Sequence, residues 1–157
     1  MVRPTDAIGA IVEVLHNLGQ SYGGARDERA FALFDEVRAL AVEHDADWLI
    51  ADVTDSRGRA LLEFDRIDEA IAALLTAADG FAAVGDRASA GGSELFAART
   101  LADADRLDDA VPLYRSVLDR ADDTPPMRQV AALELGDVLE KLGRTGDAAQ
   151  VRALLDE

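Results

Sequence analysis

The stretch DRIDEA at residues 65–70 returns as DRLDDA at residues 105–110, and related stretches, ARDERA and GRTGDA, occupy residues 25–30 and 143–148. Each stretch has an arginine four residues before an alanine. The alanines, separated by 40, 40 and 38 residues, are Ala30, Ala70, Ala110 and Ala148. An internal period of this length is typical of stacked structural repeats, because each unit buries its apolar face against the next. The recurrence predicts four repeat units.

Apolar residues at helical spacing predict eight helices in four antiparallel pairs and no strand. The predicted helices begin at about residues 5, 31, 47, 67, 87, 108, 125 and 145. Asp45 or Asp47 is expected to cap the third helix, and Thr124 is expected to cap the seventh. Gly91-Gly92 allows two alternatives, a fifth helix that is continuous from Arg87, which we favour, or one that starts late. The eighth helix is expected to reach Leu155.

The predicted units span about residues 5–45, 46–85, 86–122 and 124–157, in a single domain of residues 1–157. No cysteine is present, which excludes disulfides and thiolate catalysis. The first residues have no apolar signal core, and no apolar run approaches the roughly 18 residues of a membrane span. We therefore expect no membrane association and a cytoplasmic location.

The charge of the chain limits its partners. It is −15, from 31 acidic and 16 basic residues, and the acids are spread evenly along the sequence. Because such a surface repels phosphate backbones, we expect no nucleic-acid partner and favour basic peptides or basic protein faces. The alternative is that the acids only keep an alanine-rich scaffold in solution.

The repeats resemble the tetratricopeptide repeat, a helix–turn–helix unit that stacks into a right-handed solenoid. The last unit is the most similar, because Leu135, Gly136, Leu139 and Ala148 stand at the family's leucine, glycine, large-residue and alanine positions. The resemblance implies an all-α fold, a right-handed solenoid of four antiparallel helix pairs, and a role in binding other proteins.

The other units carry fewer of the family's residues. In the third unit the segment DDAVPLYRSVL, residues 108–118, is similar to the long repeats of the kinesin-light-chain type, although Ala97-Ala98 replaces the leucine–glycine pair. The positions shared with the family are Leu101, Ala110 and Tyr114 in the third unit, Leu61, Ala70 and Leu74 in the second, and Ala30 and Phe34 in the first. The resemblance depends on all four units, because the family's residues recur in them at matching positions.

In this family the first helix of each pair lines a concave groove, so the resemblance implies which residues face it. Counted from the aligned alanines, the groove positions are Gly19, Arg59, Arg99 and Asp137, followed one turn later by Gly23, Glu63, Asp103 and Lys141. Arg59 and Arg99 are expected to face one hollow, where two guanidinium groups can hold a carboxylate by bidentate hydrogen bonds. The alternative is local ion pairing, of Arg59 with Asp55 and of Arg99 with Asp103.

The candidate binding residues are therefore Asp55, Arg59, Glu63, Arg99, Asp103, Asp137 and Lys141. A separate surface is predicted at the last helix, because Val151, Leu154 and Leu155 have no following repeat to cover them. Either they fold onto the seventh helix, or they pair with a second copy of the chain, or the chain is part of a longer protein.

Catalytic and metal-binding patterns are missing from the sequence. The two histidines, His16 and His44, have no metal-ligand spacing, and no phosphate-binding loop or nucleophile elbow is present. We therefore predict a protein–protein interaction module that is not an enzyme and needs no cofactor or metal. The alternatives are a sensor domain of a larger bacterial transcriptional regulator or signalling ATPase, and an oligomerisation scaffold.

Overall fold

The computed structural model describes residues 4–120 and 125–155, with side chains from residue 8 onward. Within these ranges the chain forms eight α-helices and no strand, as predicted. The helices are α1 Pro4–Gly24, α2 Arg29–Glu43, α3 Asp47–Glu63, α4 Ile67–Ala83, α5 Arg87–Asp103, α6 Leu107–Arg120, α7 Pro125–Lys141 and α8 Thr145–Ala153. The all-α prediction is confirmed.

The helices form two compact units, Met1–Val84 with α1 to α4 and Gly85–Glu157 with α5 to α8. In each unit every helix packs against the next one in the chain. The first helices of neighbouring pairs also touch, α1 against α3 and α5 against α7. This pairwise packing in sequence is the arrangement that the repeats predict, whereas the right-handed stacking of all four pairs in one domain stays a prediction.

The recurrent alanines lie at the packing centre of their pairs. Ala30, Ala70 and Ala110 are fully buried, and Ala148 is 1% exposed. A larger side chain at these positions would push the two helices apart, because ridges and grooves can interdigitate closely only where side chains are small. The alanines therefore act in packing, as the sequence indicates.

The turns inside the four pairs share one backbone design. Each contains a residue with positive φ, and these residues are Arg26 (55°), Asp65 (58°), Asp105 (60°) and Gly143 (73°). The N–H of that residue bonds to the carbonyl three residues back, and the next N–H bonds five residues back, as from Arg66 to Leu61 at 3.0 Å. This Schellman ending satisfies the last carbonyl groups of the first helix.

Three of the recurrent arginines stabilise these turns. Each directly follows the residue with positive φ and donates to an acid three residues later, in the first turn of the second helix. The pairs are Arg66–Glu69, Arg106–Asp109 and Arg144–Asp147. The hydrogen bond from Arg66 lowers the pKa of Glu69. The first unit departs from this pattern, because Arg26 itself has the positive φ.

Several predicted helix ends need correction. Asp45 does not cap α3, because it has φ of 51° and belongs to the preceding turn; the residue before α3 is Ala46, which makes no side-chain cap. The last helix ends at Ala153, so Leu154 and Leu155 lie in the turn after it.

Two other expectations about the helices are confirmed, one for α5 and one for α7. The fifth helix is continuous through Gly91-Gly92, as favoured, and Asp86 caps it by accepting from the N–H of Ser89 at 3.0 Å. Pro125 is the first residue of α7, as predicted. The predicted cap Thr124 lies outside the described residues.

Candidate functional site

The first unit has an open cleft on the surface of α1 and α3. Its volume is about 220 Å³, and its lining consists of Gln20, Gly24, Ser56, Arg59, Ala60 and Glu63. Arg59 and Glu63 were predicted as groove residues. Asp55, the third predicted residue of this unit, accepts a hydrogen bond from Arg59, with 2.6 Å between Nε and Oδ2. The local ion pair that the sequence offered as an alternative is therefore present at Arg59.

The positions predicted on α1 are displaced by one residue. Gly19 and Gly23 are buried, and a Cβ on either would lie 2.8 Å from the nearest atom, in Phe34 and Ala60 respectively. These glycines allow α1 to approach its neighbours closely, so they do not line the cleft. Their place is taken by the next residues, Gln20 and Gly24.

The turn between α1 and α2 explains this displacement. Asp65 and Asp105 stand five residues before the aligned alanines of their units, whereas Arg26 stands only four before Ala30. Counted from the residues with positive φ, the equivalent positions are Gln20, Arg59, Arg99 and Asp137, and then Gly24, Glu63, Asp103 and Lys141. The turn therefore gives the correct register, and the alanine gives it only where the turn length is conserved between units.

A polar cluster adjoins the first cleft, and two of its members, Gln20 and Ser56, line it. The Nε2 atom of His16 lies 2.7 Å from Oγ of Ser56, and its Nδ1 atom lies 3.3 Å from Oδ2 of Asp52. The side-chain amide of Gln20 donates to the same Ser56 Oγ at 3.0 Å. Burial raises the pKa of Asp52, and the charge of His16 opposes that shift. The cluster joins α1 to α3 below the cleft.

The second unit has a cleft of about 320 Å³. Its lining residues are Arg99, Ala102, Asp103, Tyr114, Glu134, Asp137, Val138 and Lys141. Four of these residues were predicted from the repeat register: Arg99, Asp103, Asp137 and Lys141. The structure therefore brings together all the predicted groove residues of this unit in one cleft.

The arginine of the second cleft has a partner that the sequence did not indicate. Arg99 makes a bidentate pair with Glu134 of α7, at 2.8 Å from Nε and 2.5 Å from Nη2. Tyr114 of α6 donates to the same carboxylate at 3.2 Å. The hydrogen bond to Glu134 raises the pKa of Arg99, and the expected partner Asp103 contributes only through its more distant charge. The predicted pairing of Arg99 with Asp103 is replaced by a link between helices.

The last helix also reaches this cleft. Arg152 of α8 forms ion pairs with Asp137, at 2.7 Å, and with Glu140. Val151 is buried, whereas Leu154 and Leu155 are half-buried. Val151 therefore packs inside the unit, as one of the three alternatives predicted. Self-association through Leu154 and Leu155 stays a prediction.

Sequence reasoning missed four polar side chains of the two clefts, Gln20, Ser56, Tyr114 and Glu134. One signal was available for the first unit, because His16 and Ser56 are 40 residues apart, which is the repeat period. Residues one period apart occupy similar heights on neighbouring first helices, so polar residues at that separation are candidates for contact. No comparable signal in the sequence relates Glu134 to Arg99.

Two features are absent from the described part of the chain. No helix there is both long enough and apolar enough to span a bilayer. In the same residues no three histidine or carboxylate side chains come together as a group that could hold a metal ion.

The fold is similar to that in the crystal structure of aspartyl phosphate phosphatase F from Bacillus subtilis, with a TM-score of 0.78 and 14% sequence identity. The similarity covers 90% of this chain and 38% of that chain, so the chain spans well under half of the length of the protein it matches. At this identity the similarity concerns the fold alone. No protein-family model and no curated protein sequence matches the chain. The eight helices, packed in sequence, are consistent with tetratricopeptide-like repeats.

Proposed function

We propose that the protein is a protein–protein interaction module that binds a peptide or protein segment along the first helices of its repeats. One observation carries this proposal. Each unit has an open cleft on its first helices, and the same register position carries three kinds of side chain over the four repeats, in Gln20, Arg59, Arg99 and Asp137. A scaffold that repeats in its core and varies at one surface position is suited to recognising an irregular partner.

The charges around the clefts support a partner with basic character. Arg59 and Arg99 are each engaged by an acid, whereas no ion-pair partner within the described ranges engages Glu63 or Asp103, one turn further on. Among their lining residues, the first cleft has one cation and one acid, and the second has two cations and three acids. With a chain charge of −15, both clefts attract lysine or arginine side chains. Binding of this kind requires no catalysis, so we propose a partner-binding protein that is not an enzyme.

A pair of charge-matched variants tests the proposal. Glu63→Lys with Asp103→Lys reverses one acid in each cleft, and Glu36→Lys with Asp119→Lys makes the same charge change at exposed positions of α2 and α6, which do not line the clefts. The probes are short fluorescent peptides, one rich in lysine and one rich in glutamate, and the measurement is fluorescence anisotropy.

We expect the lysine-rich peptide to bind preferentially, and the cleft variant to weaken that binding by about tenfold relative to its control. Arg59→Glu with Arg99→Glu is expected to leave the helical circular dichroism intact and to alter binding in the opposite direction. Equal weakening by both lysine variants would show that only the overall charge matters, and the clefts would then not be the binding surface.

A second candidate is a regulatory domain of a larger protein, as the sequence also suggested. It is supported by the coverage of the structural comparison, in which the fold of this chain corresponds to 38% of a longer protein. The mass of the native protein in its own cells tests this candidate, because a mass equal to that of this chain would oppose it. Self-association through Leu154 and Leu155 remains a third candidate, and sedimentation at several concentrations tests it.

A further inference from the structure

The first unit contains a chain of close polar contacts that runs from Asp52 through His16 to Ser56. Asp52 lies 3.3 Å from Nδ1 of His16, and Ser56 Oγ lies 2.7 Å from Nε2. A carboxylate this close favours the tautomer with the proton on Nδ1, because a carboxylate only accepts. The lone pair of Nε2 is then directed at the hydroxyl proton of Ser56. A base in this relation to a hydroxyl group is the arrangement that activates a serine nucleophile.

The surroundings hold this geometry in place. Asp52 and Ser56 are one turn apart on α3, so the histidine can reach both from α1. The imidazole ring packs edge-on against Phe34 of α2, with centroids 6.2 Å apart, and the side chain of His16 is only 12% exposed. The other charged groups that act on Asp52 are Asp55 and Arg59 of α3. A nucleophile needs a base whose ring is restrained by packing, and His16 meets that condition.

A hydrogen-bond donor and a space for a reactant adjoin the serine. Ser56 lines the cleft of about 220 Å³, although it is 5% exposed, so only a small group can approach its hydroxyl. The amide of Gln20 lies 3.0 Å from Ser56 Oγ. A side-chain amide at this distance can also donate to the oxygen of a carbonyl group that is attacked by the serine, and so stabilise the negative charge that develops there.

We infer that Ser56 is an activated nucleophile that accepts the acyl group of a small activated ester entering the first cleft. The Ser56 oxygen bonds to the carbonyl carbon while its proton passes to Nε2 of His16. The bond from that carbon to the leaving oxygen then breaks, and the leaving oxygen takes the electron pair and the proton. The products are an ester on Ser56 and a free alcohol or phenol. The inference concerns one acylation per chain, and it does not depend on the proposed binding function.

The test is acetylation by p-nitrophenyl acetate, followed by peptide mapping with mass spectrometry. Mapping separates Ser56 from Lys141, the one lysine of the chain, and from Ser21, an exposed serine of α1 that serves as an internal reference. We expect Ser56 to be acetylated faster than Ser21, and Ser56→Ala to lose that product. His16→Gln is expected to slow the reaction at Ser56 by about 100-fold, the contribution of a general base.

Further variants separate reactivity from structural support. Asp52 is a positioning residue, so Asp52→Asn is expected to slow acetylation at Ser56, because an amide that donates to Nδ1 favours the tautomer whose Nε2 cannot accept the hydroxyl proton, and Asp52→Glu is expected to recover part of the rate. Gln20→Ala keeps nucleophile and base, and is expected to slow acetylation with unchanged circular dichroism. The inference is overturned if Ser56 reacts no faster than Ser21. It is equally overturned if His16→Gln and Gln20→Ala both leave the rate at Ser56 unchanged.

Discussion

The two clefts have an arginine at the same register position, but the arginine is held differently in each. In the first unit Arg59 bonds to Asp55 of its own helix, at 2.6 Å. In the second unit Arg99 reaches across to Glu134 of α7, and Tyr114 of α6 joins the same carboxylate. The first arrangement involves one helix, whereas the second connects α5, α6 and α7. The bidentate pair of Arg99 with Glu134 therefore crosslinks helices around the second cleft, whereas the bond from Arg59 to Asp55 stays within α3.

The difference shows that a repeat position determines where a side chain is, and that its neighbours determine what it does. The role of connecting first helices is taken in the first unit by His16 and Ser56, one repeat period apart. Close contact between α1 and α3 also depends on Gly23, whose Cβ position lies against Ala60. The first unit is thus joined by tight packing with a partly buried polar cluster, and the second by a more exposed ion pair.

The largest expected effect comes from glycines on the first helices. Gly23→Ala places a Cβ 2.8 Å from the Cβ of Ala60, which cannot move without its helix, so we expect a loss of about 1–3 kcal/mol in the free energy of unfolding. Gly136→Ala in the second unit meets only the flexible side chain of Arg152, so its effect is expected to stay within about 1 kcal/mol.

Thermal and urea denaturation, followed by circular dichroism, measure both changes. Gly24→Ala is the matched control, because a Cβ there meets no atom within 4 Å. If Gly23→Ala were as stable as Gly24→Ala, close packing of α1 on α3 would not be what joins the first unit.

The next largest effect on stability is expected from loss of the acids that pair with the two arginines, Glu134 and Asp55. Glu134→Ala leaves Arg99 and the hydroxyl of Tyr114 without their shared acceptor, so we expect it to cost about 1–3 kcal/mol of unfolding free energy. The pair of Asp55 with Arg59 joins residues four apart on one helix, and loss of that pair in Asp55→Ala is expected to cost under about 1 kcal/mol.

Urea denaturation of the two variants makes the comparison directly. Tyr114→Phe removes only one of the hydrogen bonds to Glu134, so we expect it to lower the free energy of unfolding by less than Glu134→Ala does. An Asp55→Ala loss equal to that of Glu134→Ala would contradict the distinction between a local pair and an interhelical link.

The smallest expected effect is a loss of stability at high pH that arises from Tyr114 in the second cleft. Burial raises the pKa of Tyr114, and the charge of Glu134 and the hydrogen bond to it add to the shift. The folded protein therefore holds this proton more tightly than the unfolded chain, whose tyrosine ionises near its ordinary pKa of 10.0. The stability that Tyr114 contributes is complete below that pH and is lost as the pH rises above it.

Ultraviolet absorbance measures the ionisation, and urea denaturation on either side of the ordinary tyrosine pKa measures the stability. In Tyr114→Phe the tyrosine that resists ionisation is absent from the absorbance titration. We expect the free energy of unfolding of this variant to fall less as the pH rises above the ordinary tyrosine pKa. Ionisation of Tyr114 at the ordinary pKa would show that its hydroxyl is not held by Glu134.

Much of the fold could be predicted because its signals are local. Proline and glycine, together with apolar spacing, indicated the start of α7 at Pro125 and the end of α1 at Gly24, as the structure has them. The α1–α2 turn was harder, because Arg26 and not glycine has the positive φ, and a single displaced residue altered the register of α1. The last helix was predicted two residues too long, since nothing in the apolar pattern distinguishes Leu154 in a helix from Leu154 in a turn.

The sequence by itself determined eight helices in four pairs, the packing role of the alanines and four side chains of the second cleft, Arg99, Asp103, Asp137 and Lys141. The helices and the packing alanines depend on turn chemistry and apolar spacing, which are read within one unit. The cleft positions came from the repeat register that the family resemblance implies. Only the tertiary structure decided that Gln20 replaces Gly19 in the first cleft, that Arg99 meets Glu134, and that Asp52, His16 and Ser56 form one chain. The physical reason is that each residue along a helix turns the side chain by about 100°, so contacts between helices depend on a rotation that no single repeat specifies.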